Sequence, residues 1–222
     1  MGAVTLSPQK PFRYTSGLLG PIYTDCRLLM SHVDEREEII KEYKEVLMKI
    51  GTENIDYVAG VASSGIPHAA WIADRMKKRM IYVNKEGKSY GKQKQIEGEL
   101  EKGTKVIIIE DLINQGESSL NAVKAIKAEG ANPTHCIAIV TYQMPGSIRG
   151  FKEQGVKLIT LTDIETLTRR AIERKILDED QERMIMEWTK DADGWGRKMG
   201  FGDLCRNDKS ESLSKNRERQ AC

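Results

Sequence analysis

What the 222-residue chain lacks narrows its possibilities first. No window approaches the ~18 consecutive apolar residues of a membrane span, so no spanning helix and no membrane partner are expected. The opening stretch MGAVTLSPQKPFRY has no apolar core, so no secretory leader is expected. Leu6 stands where a myristoylation signal wants Ser or Thr. Four cysteines, Cys26, Cys136, Cys205 and Cys222, form no C-x-x-C pair, and His32, His68 and His135 show no metal-ligand spacing. This argues against a zinc site or a disulfide framework and makes the cytoplasm the expected compartment. Nor does one sign of charge dominate. Lys+Arg 35 against Asp+Glu 33 leave +2, whereas a dedicated nucleic-acid binder carries a basic surplus.

What is present, 39% hydrophobic and 31% charged residues, describes a soluble domain with a busy surface. A chain of this length buries ~70% of its unfolded surface without a metal or disulfide. The expected organisation is one domain over residues 1–202, with an N-terminal segment over about 1–33 and a mobile charged tail over 203–222. Ile39, Ile40, Tyr43, Val46, Leu47 and Ile50 recur at helical spacing and predict a helix over 34–50, with Asp34 and Glu37 as a capping box and Gly51 as its stop. Strand–loop–helix units follow: a strand over 57–62 and a helix with Pro67 in its first turn, a brief strand over 81–83, and a long polar loop over 85–104. The run Lys105–Ile109 (KVIII) suits a parallel strand buried on both faces. A loop and helix to Glu129 come next, then strands over 135–141 and 156–161 around a helix over 147–154, and two closing helices over 163–175 and 180–190. Alternation of this kind implies an α/β fold with a mostly parallel sheet and flanking helices.

In such sheets ligands bind beyond the carboxyl ends of the strands. Val106–Ser118 (VIIIEDLINQGES) delivers two adjacent acids, Glu110 and Asp111, then a Gly-containing loop that opens a helix. Backbone N–H groups at a helix start can cradle a phosphate, and the acids can accept hydrogen bonds from sugar hydroxyls.

This segment resembles the phosphoribosyl-diphosphate (PRPP) motif of type I phosphoribosyltransferases. Three further segments resemble the orotate branch of that family: Ser16–Arg27 (SGLLGPIYTDCR) its base-enclosing segment, Gly60–Pro67 (GVASSGIP) its pyrophosphate loop, and Val83–Gly91 (VNKEGKSYG), running into Ile96-Glu97-Gly98, its mobile catalytic loop. The resemblance implies Mg²⁺-dependent transfer of phosphoribose from PRPP to a nucleobase, with orotate as the first choice of acceptor. A different base, or a regulator that binds PRPP without turnover, are the alternatives. It also implies that Glu110 and Asp111 hold the ribose hydroxyls, with Mg²⁺ bridging those hydroxyls and the pyrophosphate. Asn114, Gln115, Gly116, Glu117 and Ser118 would bind the 5′-phosphate, and Ser63, Ser64 and Gly65 the pyrophosphate. Lys85 and Lys88 would reach the pyrophosphate too, Lys88 from the neighbouring subunit of a homodimer. Tyr23, Arg27 and Tyr142 fall to the base.

The sequence departs from the family at three places. Glu117 brings a carboxylate toward a dianionic phosphate, Asn84 replaces an Arg before the loop lysine, and Tyr142 stands where an Arg grips the orotate carboxylate. Outside the motifs, His68 reads as a polar surface residue, Cys26 as a small packing group, and Trp188 and Trp195 as packing for the C-terminal helix against the sheet.

Overall fold

The structure is a computed structural model and describes residues 1–14, 16–85 and 94–201. The chain divides into two compact units: Asp25–Leu167, and Gly2–Thr24 together with the chain from Thr168 onward. The sequence alone suggests one domain over residues 1–202 with an N-terminal segment over about 1–33.

In the smaller unit, β1 (Val4–Leu6), β2 (Phe12–Arg13), β3 (Leu19–Gly20) and β4 (Ile22–Thr24) form two short antiparallel pairs, β1 with β4 and β2 with β3. Strands of two or three residues carry no readable alternation, which is why the sequence did not announce them.

The larger unit begins with a 3₁₀ turn, Cys26–Ser31, that leads into α1 (Val33–Ile50). The expected capping box is not formed. The helix starts one residue earlier, at Val33, its N-cap His32 makes no side-chain cap bond, and Glu37 instead takes Arg75 in two hydrogen bonds of 2.6 and 2.8 Å. Gly51 does end the helix, at φ 92°.

The sheet follows as β5 (Tyr57–Val61), β6 (Arg79–Val83), β7 (Ile96–Glu97), β8 (Lys105–Ile113), β9 (Asn132–Thr141) and β10 (Lys157–Asp163), in the spatial order β10-β9-β8-β5-β6-β7. All neighbours are parallel except β7, which pairs antiparallel with β6 inside what the sequence presented as an unbroken polar loop. The helices α2 (Gly65–Met76), α3 (Glu117–Ala128) and α4 (Pro145–Glu153) are the crossovers.

The β8 run explains the two-sided core. Val106 and Ile108 pack with Ala122, Val123 and Ile126 of α3, while Ile107 and Ile109 pack with Tyr43 and Leu47 of α1 and Ala69 and Ile72 of α2. The period of two sends alternate residues to opposite faces, and a strand covered on both has apolar residues throughout. Each Val, Ile and Leu among them contributes ~2 kcal/mol by leaving water.

Beyond the sheet, α5 (Ile164–Glu173) carries the chain across the unit boundary, and α6 (Glu179–Lys190) and α7 (Ala192–Lys198) complete the smaller unit. Asp178 caps α6 in a full capping box with Gln181. Trp188 lies 6.1 Å from the Tyr14 ring and Trp195 5.6 Å from that of Phe201, all within this unit. No described helix is long and apolar enough to cross a membrane. The charged tail from residue 203 and the segment 86–93 lie outside the described residues.

Candidate functional site

The carboxyl ends of β5, β6, β8 and β9 meet at one rim of the sheet, and the sequence-selected loops project from it. Val61 pairs with Val83, and the Ala62 N–H donates to the Val83 carbonyl at 2.9 Å, which sets the Ser63–Gly65 loop beside the end of β6. The Ala62–Ser63 peptide is cis. A Cβ on Gly65 would stand 2.5 Å from the Ile109 carbonyl oxygen and 3.4 Å from the Glu110 Cα, so only glycine lets this loop lie against β8. Ser63 is exposed and Ser64 half-buried.

The acidic pair is not in a loop as expected but inside β8, which runs on to Ile113. The strand continues because β9 continues beside it, with Glu110 facing Ala138 and Ile113 facing Thr141. The two acids have different surroundings. Glu110 is 6% exposed. Its Oε1 accepts the Asp111 N–H at 3.1 Å, its Oε2 accepts the Ser119 hydroxyl at 3.0 Å, and its carbonyl accepts the Tyr43 hydroxyl at 2.6 Å. Burial, then the neighbouring Asp111 carboxylate, push the Glu110 pKa well up. Asp111 is half-buried, and its Oδ1 accepts the Leu112 N–H at 2.9 Å. Of the two, Asp111 is the one presented at the rim, while Glu110 is turned inward.

Asn114, Gln115 and Gly116 carry the chain from β8 into α3, with Gly116 at φ 80° as its N-cap and the Leu120 N–H donating to the Gly116 carbonyl at 2.9 Å. Gln115, Glu117 and Ser118 are exposed, and the buried Asn114 Oδ1 has no hydrogen-bond partner. Lys85 is exposed just past β6. The base of its loop is closed by Asn84 N–H to the Gln95 carbonyl at 2.8 Å and Gln95 Nε2 to the Asn84 carbonyl at 2.9 Å. Lys88 lies outside the described residues.

The base-side residues belong to both units, Tyr23 to the smaller and Arg27 and Tyr142 to the larger. Tyr23 is exposed on β4 in the smaller unit. Arg27 is forked onto Asp25, Nε to Oδ1 at 2.6 Å and Nη2 to Oδ2 at 2.9 Å, which holds the Asp25 carboxyl below its usual range. Tyr142 is 2% exposed at the end of β9, with its N–H on the Ile113 carbonyl at 2.9 Å.

Three groups behind the rim carried no legible sign in the sequence. Ser119 and Tyr43 both bond Glu110. The third, His68, corrects the surface assignment. It is 1% exposed, edge-on to Trp71, with Nδ1 unpartnered, and burial lowers its pKa although Asp111 pulls the other way. Cys26 is a packing group as expected. It is buried, and burial, then Asp111, push its thiol up to about 12.

Among the described residues no three His, Cys, Asp or Glu side chains converge as a metal site. The single half-buried carboxylate of Asp111 suits Mg²⁺ in a different way, since this ion keeps few protein ligands and takes the rest from water and substrate phosphates.

Comparison with known proteins assigns this mostly parallel sheet, with its acidic strand end and glycine-opened helix, to the phosphoribosyltransferases. Residues 31–166 match the family model described as phosphoribosyl transferase domain. The chain is 42% identical over 193 residues to an orotate phosphoribosyltransferase of Coxiella burnetii, covering 87% of this chain and 92% of that protein. It is 39% identical over 195 residues to the orotate phosphoribosyltransferase of Enterococcus faecalis, covering 88% and 92%. The crystal structure of orotate phosphoribosyltransferase from Aeropyrum pernix superposes with TM-score 0.65 at 25% identity, covering 76% of this chain and 93% of that one. The chain therefore belongs to the phosphoribosyltransferase family, in its orotate phosphoribosyltransferase branch.

Proposed function

We propose that this chain transfers the phosphoribosyl group of PRPP to orotate, giving orotidine 5′-monophosphate and pyrophosphate. In this step a bond forms between a ring nitrogen of the base and C1′ of the ribose, the bond from C1′ to the pyrophosphate oxygen breaks, and the proton of that nitrogen is released to the pyrophosphate or to water. Positive charge builds on the sugar and negative charge on the leaving group, so catalysis needs anions on one side and cations or N–H dipoles on the other. The observation that carries the reading is the half-buried Asp111 at the β8 end, one loop from the α3 N-terminus and with the Ser63–Gly65 loop alongside. Asp111 grips the ribose hydroxyls, residues 114–118 the 5′-phosphate, and Ser63–Gly65 with Lys85 the pyrophosphate.

Mg²⁺, which Asp111 would hold together with the bound substrate, would supply charge neutralisation of the leaving group. Lys88 completes the pyrophosphate contacts from the second subunit of a homodimer. Release of pyrophosphate from PRPP, Mg²⁺ and a panel of bases tests the reading: turnover with orotate supports it, and inertness with every base refutes it. Mixing Lys88→Ala with Asp111→Asn subunits should restore activity if the site is shared, and no recovery would assign it to one chain.

One observation favours a second acceptor. Tyr142 offers no cation to a carboxylate, and Arg27 is already forked onto Asp25. A base without a carboxylate outrunning orotate in the same panel would move the assignment to it.

A further inference from the structure

One side-chain hydrogen bond joins the end of β8 to the first turn of α3 across the loop 114–116. Ser119 Oγ donates to Glu110 Oε2 at 3.0 Å, nine residues away in sequence. Both side chains are buried, at 1% and 6% exposure. A helical serine ordinarily turns to solvent or bonds its own backbone. Here it faces inward, and a buried hydroxyl and carboxylate are costly unless each satisfies the other. The carboxylate so fixed accepts the Asp111 N–H through its second oxygen, and its carbonyl is pinned by Tyr43 from α1. The peptide that carries Asp111 is thus oriented by Glu110, and Glu110 is oriented by Ser119. The same bond sets the distance between the strand end and the helix start, which is the span of the loop 114–116.

We propose that Ser119 is a positioning residue of the PRPP site, acting through Glu110 to aim Asp111 and to hold the phosphate loop at its working span. The proposal rests on the reading that Asp111 and this loop receive PRPP.

The test is PRPP affinity by calorimetry with Mg²⁺, for the parent protein, Ser119→Ala, Glu110→Ala and the double variant. Ser119→Cys, which keeps the volume but is a weak donor, controls for packing. Losing a buried hydrogen bond of about 1.4 kcal/mol lowers affinity about tenfold where that bond fixes the binding geometry. The expected result is a loss of about that size in Ser119→Ala and Ser119→Cys alike, absent when Ser119→Ala is made in the Glu110→Ala background. Ser119→Thr, if it folds, should recover most of the affinity. Equal affinity in Ser119→Ala, full affinity in Ser119→Cys, or losses that add in the double variant would each overturn the proposal and leave the parent's PRPP binding standing. A parent protein that does not bind PRPP would overturn the functional reading and the proposal together.

Discussion

Replacing Gly65 by alanine should damage stability and activity together. The new Cβ would lie 2.5 Å from the Ile109 carbonyl oxygen, and that obstacle is backbone in the middle of a sheet. Real Cβ contacts do not fall below 3.0 Å, so the loop and β8 must part by at least about 0.5 Å in an interior that packs without slack. Overpacking of this kind costs ~1–3 kcal/mol. In a chain of this size that lowers Tm on the order of 5 °C. The displaced loop is the one proposed to meet pyrophosphate. Since a 1 Å misplacement can cost ~100-fold in rate, kcat/KM should fall at least about tenfold.

Gly150 provides the contrast. Its Cβ would also stand 2.5 Å from a neighbour, but that neighbour is the tip of the Leu120 side chain, which can change rotamer. Gly150→Ala also gains up to ~1 kcal/mol of helix propensity within α4, so Tm and activity should stay close to the parent. Thermal melts by circular dichroism and a pyrophosphate-release assay decide the matter. If Gly65→Ala melts within about 1 °C of the parent with unchanged kcat/KM, the close approach of loop and strand is not a constraint and the argument fails.

Three further predictions concern Tyr142, Glu117 and His68. Tyr142→Arg, which restores the family's cation, should lose about 3 kcal/mol or more because it buries a guanidinium where Tyr142 is 2% exposed; a folded variant with improved orotate KM would refute this. Glu117→Gln should tighten PRPP binding about threefold or more at low salt, with the gain shrinking as salt screens the repulsion; a gain unaffected by salt would remove charge as its cause. His68 is buried with its pKa below the usual ~6.5. The unfolded chain therefore takes up that proton first, and the His68 contribution is present above about pH 6.5 and lost as pH falls below it. Tm measured from pH 8 to 5 should decline less steeply in His68→Gln, and parallel curves would show that His68 does not titrate on unfolding.

These cases separate what the sequence disclosed from what it hid. The β8 core was legible because four β-branched residues in a row leave few alternatives, and the glycines at 51 and 116 marked turns that the structure places at positive φ. The strand's continuation through Glu110–Ile113 was not, since two acids read as a loop until β9 is seen running beside them. The burial of His68 is not legible in the sequence, because a lone histidine gives no sign of which helical face is covered. Ser119 and Tyr43 were invisible for a related reason. Nothing local distinguishes a serine or tyrosine that bonds a carboxylate or carbonyl from one that does not, and the partner is known only when strand and helix are in register. The loops at the sheet rim were thus largely readable from motifs, while the bracing behind them is a property of the packing.

The buried thiols have a practical consequence. Cys26 and Cys136 are free, buried and held protonated, Cys26 up to about 12 and Cys136 well above its usual value, so neither offers a thiolate to an alkylating reagent while the fold is closed. Each can be labelled only as fast as its surroundings open, which makes the pair an internal clock. Cys136 sits within β9 between β8 and β10 and should keep time with loss of the whole sheet, whereas Cys26, in the 3₁₀ turn before α1, reports on the release of that turn. Bound ligand slows such a clock in proportion to its occupancy. Mass-resolved labelling of these two positions would therefore yield affinities for PRPP and for candidate bases without any turnover at all.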